Sequence, residues 1–379
     1  MTRQVARVER PIVEAPAPTS HTRLVGRTTH PWGWWGWALG AAVAVSLTRN
    51  LLLLTLVVAA VVWVVLARRT AAPWARSVGA YFTLALMVIG VRMFFQLTVG
   101  GLREGTVLFT LPEVQLPAWA AGISLGGPVT LEAVLFTISD AGRLAAMLIC
   151  VGAANALANP RRALRAVPPA LYELSVAVVI ALSVAPQLIE SGVRVRRARR
   201  LRGGASRGWR AVTAVVIPVF EDAIDRSLLL AAGMESRGYG RTHDQRRVGR
   251  GTSVMLMGAL MCVTLGTFIL LGVPGSGRRG ALALGGGVVA TVVGLRRSGR
   301  RLAVTRYRPD PWGWPEAVVL GCGATAIAIA GWLAHTQPNA MLPPISPAAW
   351  PTLHPAMIVL ALVVAIPAVA TPLPPRDER

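Results

Sequence analysis

The sequence predicts an all-α, polytopic integral membrane protein, with about eight transmembrane helices and a cytoplasmic helical insert. Three observations carry that prediction. Hydrophobic residues make up 54% of the 379-residue chain and charged residues only 15%. Mean hydropathy is +0.54, far outside the usual range of a soluble globular protein of this length. The apolar residues also gather into runs long enough to cross a bilayer, with arginine concentrated between them.

Residues 1–30 mix arginine with Pro11, Pro16 and Pro18 and show no apolar period, so they read as a disordered basic tail. The first apolar run begins too late for a signal peptide and lacks a small-residue cleavage pattern. Residues 31–158 form the N-terminal membrane helices. From Trp37 to Leu66 the chain is apolar except for Thr48, Arg49 and Asn50, which split it into a tight hairpin of helices about 12 and 16 residues long. Ser77–Val99 gives a third span. A Pro/Gly-rich connection follows from Gly100 to Pro128, and Leu131–Leu157 gives a fourth span.

Residues 159–250 read as one cytoplasmic insert. The apolar run Leu171–Pro186 is short and interrupted by Glu173, Ser175 and Ser183, so it reads as a helix that does not cross. A span there would also place one of two arginine clusters, 161–165 or 194–250, outside, against the positive-inside rule. A membrane helix over 251–275 follows, then further C-terminal membrane helices over 276–379, with runs at Ala281–Leu295, Pro315–Ala334 and Pro355–Ala370. Both termini fall on the cytoplasmic side, and Arg278 and Arg279 are the exception to the charge rule. Pro31-Trp32-Gly33-Trp34 recurs as Pro311-Trp312-Gly313-Trp314. A trace of duplication and a pair of interfacial tryptophan anchors both fit, and the physical argument favours the anchors.

Net charge is +22, and all 39 basic residues are arginine. A chain without lysine has no P-loop and no Schiff-base lysine, so ATP hydrolysis of that kind is excluded. Cys150, Cys262 and Cys322 stand singly in apolar runs, and the five histidines are scattered. The spacing indicates no disulfide framework, metal site or cofactor. Nucleic acid is not an expected partner, because the basic charge sits at membrane edges without stacking aromatics. Membrane lipid is one, since a basic run such as Arg194–Arg200 neutralises anionic headgroups.

Within the insert, two helix-forming runs each end in an arginine followed by glycine: Leu201-Arg202-Gly203 and Ser236-Arg237-Gly238. Glycine at these places suits a left-handed C-terminal cap. In the second run Val219, Ala223, Leu229, Leu230 and Gly233 can share one face, with Glu221, Asp222 and Asp225 opposite. An arginine projecting from such a helix end presents a rigid donor fork to a groove on another protein.

The pairing of RARRLRGG with GMESRGYG, after an apolar segment ending in Pro186 and before a further span, resembles the T component of energy-coupling factor transporters. The stretch Ser46–Leu66 is similar to that family's second helix. The resemblance spans roughly residues 30–275. It implies a membrane scaffold in a vitamin or metal-ion importer, partnered by two ATP-binding cassette ATPase subunits and a substrate-binding S component. It also implies that Arg202 and Arg237 each dock into one ATPase. Leu201 and Ser236 stand where the family favours alanine, and residues 276–379 extend past its usual final helix.

Arg92 lies about eight residues before the outer end of the third span and Asp140 about nine after the start of the fourth, so the two reach similar depth. With Arg143 one turn from Asp140, an intramembrane ion pair is expected; a substrate or proton path is the competing reading. Two other functions compete with the transducer. A self-contained secondary transporter would show inverted repeats and broken helices, for which the Pro-Trp-Gly-Trp echo is faint support. A membrane enzyme ranks last, because no carboxylate cluster or catalytic motif is present.

Overall fold

The computed structural model describes residues 29–70, 77–100, 105–115, 124–166, 172–203, 208–238, 250–272, 276–299, 312–344 and 350–373. All but two residues of the expected disordered tail lie outside the described residues. In chain order the elements are α1 (Pro31–Ser46), α2 (Leu51–Arg68), α3 (Ser77–Val99), β1 (Val107–Gln115), β2 (Ser124–Thr130), α4 (Leu131–Leu157), α5 (Pro160–Arg165), α6 (Tyr172–Leu201) and α7 (Trp209–Ser236). There follow α8 (Arg250–Gly272), α9 (Gly277–Gly299), α10 (Trp314–Thr336), α11 (Pro338–Met341), α12 (Pro355–Ala365) and α13 (Pro367–Ala370). By length and composition, seven of the described helices can cross a membrane: α2, α3, α4, α6, α8, α9 and α10. The protein is an all-α, multi-pass membrane protein.

The chain forms two compact units, residues 1–160 with 311–379, and residues 161–310. The C-terminal stretch expected at 276–379 is therefore divided. α9 belongs with α8, whereas α10–α13 return to the N-terminal helices.

The first unit is organised by the break at Thr48-Arg49-Asn50. Asn50 is fully buried, and its Oδ1 accepts from the backbone N–H groups of Leu52 and Leu53, capping α2. Its Nδ2 donates to the carbonyls of Ala340 and Thr352, and the Thr48 hydroxyl donates to that of Met341. The same short turn thus ends α1, starts α2 and holds the segment after α10.

α1 packs on α10 along glycines. The backbone at Gly33 faces Glu316, Gly36 faces Leu320 and Gly40 faces Gly323, so contact partners rise together and the two helices run parallel. Their tight approach needs small residues, since apolar lipid supplies no hydrophobic drive for helix association. The tryptophan echo sits at the two adjacent starts. Trp32, Trp312 and Trp314 are exposed there and Trp34 is buried, which fits anchoring by the exposed rings. α12 runs against α1 and alongside α2: Trp37 Nε1 donates to the Val364 carbonyl at 3.1 Å, and an Arg68 Nη2 bond reaches Ala368 at the far end.

α3 and α4 are antiparallel, with Tyr81 against Gly152 and Asn155 at one end and Arg92 against Asp140 nearer the other. Where the sequence reads as a plain connection, Val107–Gln115 and Ser124–Thr130 form a two-stranded antiparallel ribbon, with Val107 opposite Thr130 and Gln115 opposite Ser124. Register shifts along the ribbon and the two glycines Gly126 and Gly127 break the alternation by which a strand is normally read.

The second unit contains two antiparallel pairs. α8 and α9 close on a seven-residue rhythm of small residues, Thr252, Ala259 and Gly266 on one helix and Gly280, Gly287 and Gly294 on the other. A Cβ at Gly287 would lie 2.7 Å from the Val263 backbone nitrogen. α6 and α7 are described next.

Candidate functional site

α6 is one helix of 30 residues that runs through Pro186. This corrects the expectation of a separate short apolar helix ending at that proline. α7 likewise contains Pro218. Each proline removes one backbone donor, a loss the flanking turns absorb without ending the helix.

The two helices cross in opposite directions. Gly192 meets Val219, the Ser191 hydroxyl donates to Asp222 at 2.7 Å, and Arg226 donates to Asp222 at 3.0 Å and to the Gln187 side chain at 3.1 Å. The crossing is therefore a polar bolt. Asp222, read from periodicity as opposite the apolar face, sits at the contact together with Val219 of that apolar face. The apolar side chains Ile217, Phe220, Leu228 and Leu229 are the exposed ones. Periodicity in α7 identifies two faces but does not say which of them meets α6.

The Arg226 guanidinium beside Asp222, with help from the Ser191 hydroxyl, holds the Asp222 carboxyl below its usual range. A lowered folded value means that its stabilising contribution is complete above the ordinary carboxylate pKa and drains away as pH falls through the lowered one. Spin labels at Val193 and Phe220 are therefore expected to report a narrow distance at neutral pH that broadens below about pH 4. Asp222→Asn should be broad at both.

α6 ends at Leu201, which is 90% exposed. Arg202 follows, its N–H bonded to the Arg199 carbonyl at 3.1 Å, and Gly203 turns left-handed with φ 72. α7 ends in the same manner. Ser236 closes the helix, the Arg237 N–H bonds the Met234 carbonyl at 3.2 Å, and Gly238 has φ 76. A Cβ on either glycine would meet nothing within 4 Å, so the requirement for glycine comes from the left-handed backbone alone. Arg202 and Arg237 are both exposed, and neither guanidinium has an ion-pair partner among the described residues.

Because α6 and α7 are antiparallel, these ends point away from each other. At 1.5 Å per residue, measured along each helix from the crossing, Arg202 and Arg237 stand at most about 40 Å apart. No single groove accommodates both.

The remaining sequence-predicted residues come together elsewhere. Arg92 Nη1 pairs with Asp140 Oδ2, and Arg143 Nη2 pairs with Asp140 Oδ1 at 2.6 Å. Among the described residues, no group of three or more histidine, cysteine or acidic side chains is placed to hold a metal ion.

Residues 33–247, more than half of the chain, match the model of the family described as CbiQ, cobalt transport protein. The chain belongs to this family of T components. Both arginine-glycine ends lie inside the matched range, and α8–α13 lie outside it. No curated protein matches the chain. Membership makes this protein a membrane component of a transport system of the CbiQ type. The polar bolt is the element that sequence reasoning missed; the available signal was the i,i+4 pair of Asp222 and Arg226 on α7, whereas Ser191, on α6, carries no local mark of the contact.

Proposed function

We propose that this CbiQ-family chain is the scaffold and energy-transducing subunit of an energy-coupling factor importer for a vitamin or metal ion. It is not itself the catalyst. Two ATP-binding cassette ATPases hydrolyse ATP, and a substrate-binding S component carries the cargo. The observation that carries this reading is the pair of exposed, glycine-capped arginines at the outer ends of one crossed helix pair, with no ion-pair partner among the described residues. That geometry suits two separate grooves on two partner chains. ATP-driven closure of the ATPases would move both helix ends and change their crossing, and the membrane helices would pass this on to the S component, as differential binding to two states requires.

The topology supports placing these ends in the cytoplasm. α1 and α10 run parallel, so their starts share one side. α1 to α4 alternate in direction and bring the chain back to that side, so residues 161–310 cross an even number of times. α8 and α9 supply one antiparallel pair. α6 is apolar enough to cross, but it can do so only together with α7, whose middle carries Glu221, Asp222, Asp225 and Arg226. Four charges in a span are too costly, so the α6–α7 pair is read as not crossing. In the sequence, Arg68, Arg69, Arg161, Arg162, Arg165, Arg296 and Arg297 flank the apolar runs next to the connections read as cytoplasmic, which supports that sidedness.

The test uses the full chain in sealed vesicles with Cys262 replaced by serine. A membrane-impermeant maleimide should label Ser236→Cys in inside-out vesicles only, and tagged chain from native membranes should bring down two ATPase chains. Labelling of right-side-out vesicles, or purification free of ATPases, overturns the reading.

A further inference from the structure

Three arginines gather near one carboxylate beside the α1–α2 turn. Asp140 receives Arg92 from α3 and Arg143 from the next turn of α4. Arg49, in the α1–α2 turn itself, holds its guanidinium 5.2 Å from the centre of the Phe136 ring, one turn before Asp140. The next acid along α4, Glu132, is already engaged by Thr106, so the cluster carries surplus positive charge. That surplus points outward: the Arg92 and Arg143 side chains are 43% and 31% exposed, against 12% for Asp140.

Helix α2 sets the level of the cluster. Gly142, beside Asp140 on α4, faces Leu51 and Leu54 at the start of α2. With 18 residues, α2 is about 27 Å long at 1.5 Å per residue, scarcely the thickness of a hydrocarbon layer of about 30 Å. Its start therefore lies at the membrane boundary, and the cluster lies with it. Lipid phosphates occupy that level. On the membrane side of Arg92 the α3 surface is apolar and open, with Leu84, Leu86, Met87 and Val91 exposed, a wall suited to acyl chains.

Asp140 also orders the donors. It holds Arg92 through Nη1 and Arg143 through Nη2, and each guanidinium keeps further N–H donors that have no other partner among the described residues. Planar forks of this kind bind phosphate oxygens with paired, charge-assisted hydrogen bonds. Fixing them in advance lowers the cost of ordering on binding.

We propose that Arg92 and Arg143, with Arg49 beside them, bind the phosphodiester headgroup of a phospholipid in the leaflet at the α1–α2 turn, its acyl chains lying along α3. A free phosphate ion would satisfy the arginines but leave the apolar wall uncovered; a lipid does both. The site uses no residue of α6 or α7, so it stands or falls separately from ATPase docking.

The test uses the full chain in dodecyl maltoside, a detergent without phosphate, with Cys262 replaced by serine and a fluorophore on Met87→Cys; Cys150 and Cys322 are buried. Phosphatidylglycerol and diacylglycerol with the same brominated acyl chains are the quenchers. Bromine quenches only near contact, so lipid bound at distant arginines is silent. Phosphatidylglycerol is expected to quench at about tenfold lower concentration than diacylglycerol, the size of one charge-assisted contact. Arg92→Met should remove that preference, and Arg143→Met serves if the first variant misfolds. Arg279→Met, at the start of α9, should keep it. Equal quenching by the two lipids overturns the proposal, as does a preference that survives both cluster variants or that Arg279→Met removes equally. Displacement of the lipid by equimolar inorganic phosphate overturns the lipid assignment and gives the site to the free ion.

Discussion

Charge reversal at Arg202 or Arg237 is expected to remove ATPase binding while leaving the membrane fold intact. Both side chains are exposed and make no ion pair among the described residues, so replacing them disturbs nothing inside the subunit. In a complex, each guanidinium would be buried in a partner groove and bonded to carbonyls or a carboxylate. Loss of one such charged contact costs about 2–5 kcal/mol, or about 30-fold in affinity at the low end. Reversal adds repulsion to that loss. The two sites lie on opposite sides of the helix crossing, 11 and 15 residues from it, and share no partner among the described residues, so their effects should be independent and the double variant Arg202→Glu, Arg237→Glu should show the product of the single losses. Arginine to lysine should fall between, since the charge remains and the planar fork does not. Arg197→Glu, in the run suited to anionic lipid, is the control and should leave ATPase recovery near that of the native chain. The measurement is the ratio of ATPase to tagged chain after purification, with thermal stability as the check on fold. Equal losses at Arg197 and Arg202 would reduce the docking arginines to general membrane electrostatics.

The two helix ends were legible in the sequence because a left-handed cap has a strong local signature, an arginine-glycine step closing a helical run. α3 and α4 were legible for a similar reason: their apolar runs begin and end where the polarity changes, and the structure places them at Ser77–Val99 and Leu131–Leu157. Elements that depend on distant partners were not. Nothing local to Leu108, Phe109 and Leu111 distinguishes a ribbon strand from a connection, because pairing with Gly127 and Val129 across a bulged register supplies the signal. Pro186 reads as a helix end by local rules, but the helix continues through it to the crossing at Ser191. The inward turn of Asp222 depends on Ser191, 31 residues away. The return of α10–α13 to α1 and α2 is the largest such case. Its bonds, from His30 to Glu316 and from Asn50 to Thr352, join residues 286 and 302 apart, and the same glycines that make the seam possible read simply as weak helix formers.

That seam provides the second large effect, and it separates close packing from general apolarity. Gly40→Val should detach α10 from α1. A Cβ at Gly40 would lie 2.6 Å from the Gly323 carbonyl oxygen and 2.7 Å from its carbonyl carbon and Cα. These are backbone atoms, so no rotamer change relieves the clash, and the helices themselves must part. Overpacking in a core costs about 1–3 kcal/mol where side chains can adjust, and a backbone-limited contact belongs at or above the top of that range. Separation would also strain the Trp37 bond to the Val364 carbonyl and the Thr48 and Asn50 bonds to the segment after α10. In detergent, Gly40→Val should therefore lower the thermal midpoint by several degrees, about 4 °C or more, and make the 337–344 segment more sensitive to protease. Gly321→Val on the facing helix is the matched control: a Cβ there meets nothing within 4 Å, and the substitution adds the same β-branched apolar side chain. If the two variants melt together, the C-terminal helices are held by bulk apolarity and not by the glycine seam; if only Gly40→Val melts early, backbone approach fixes them to α1.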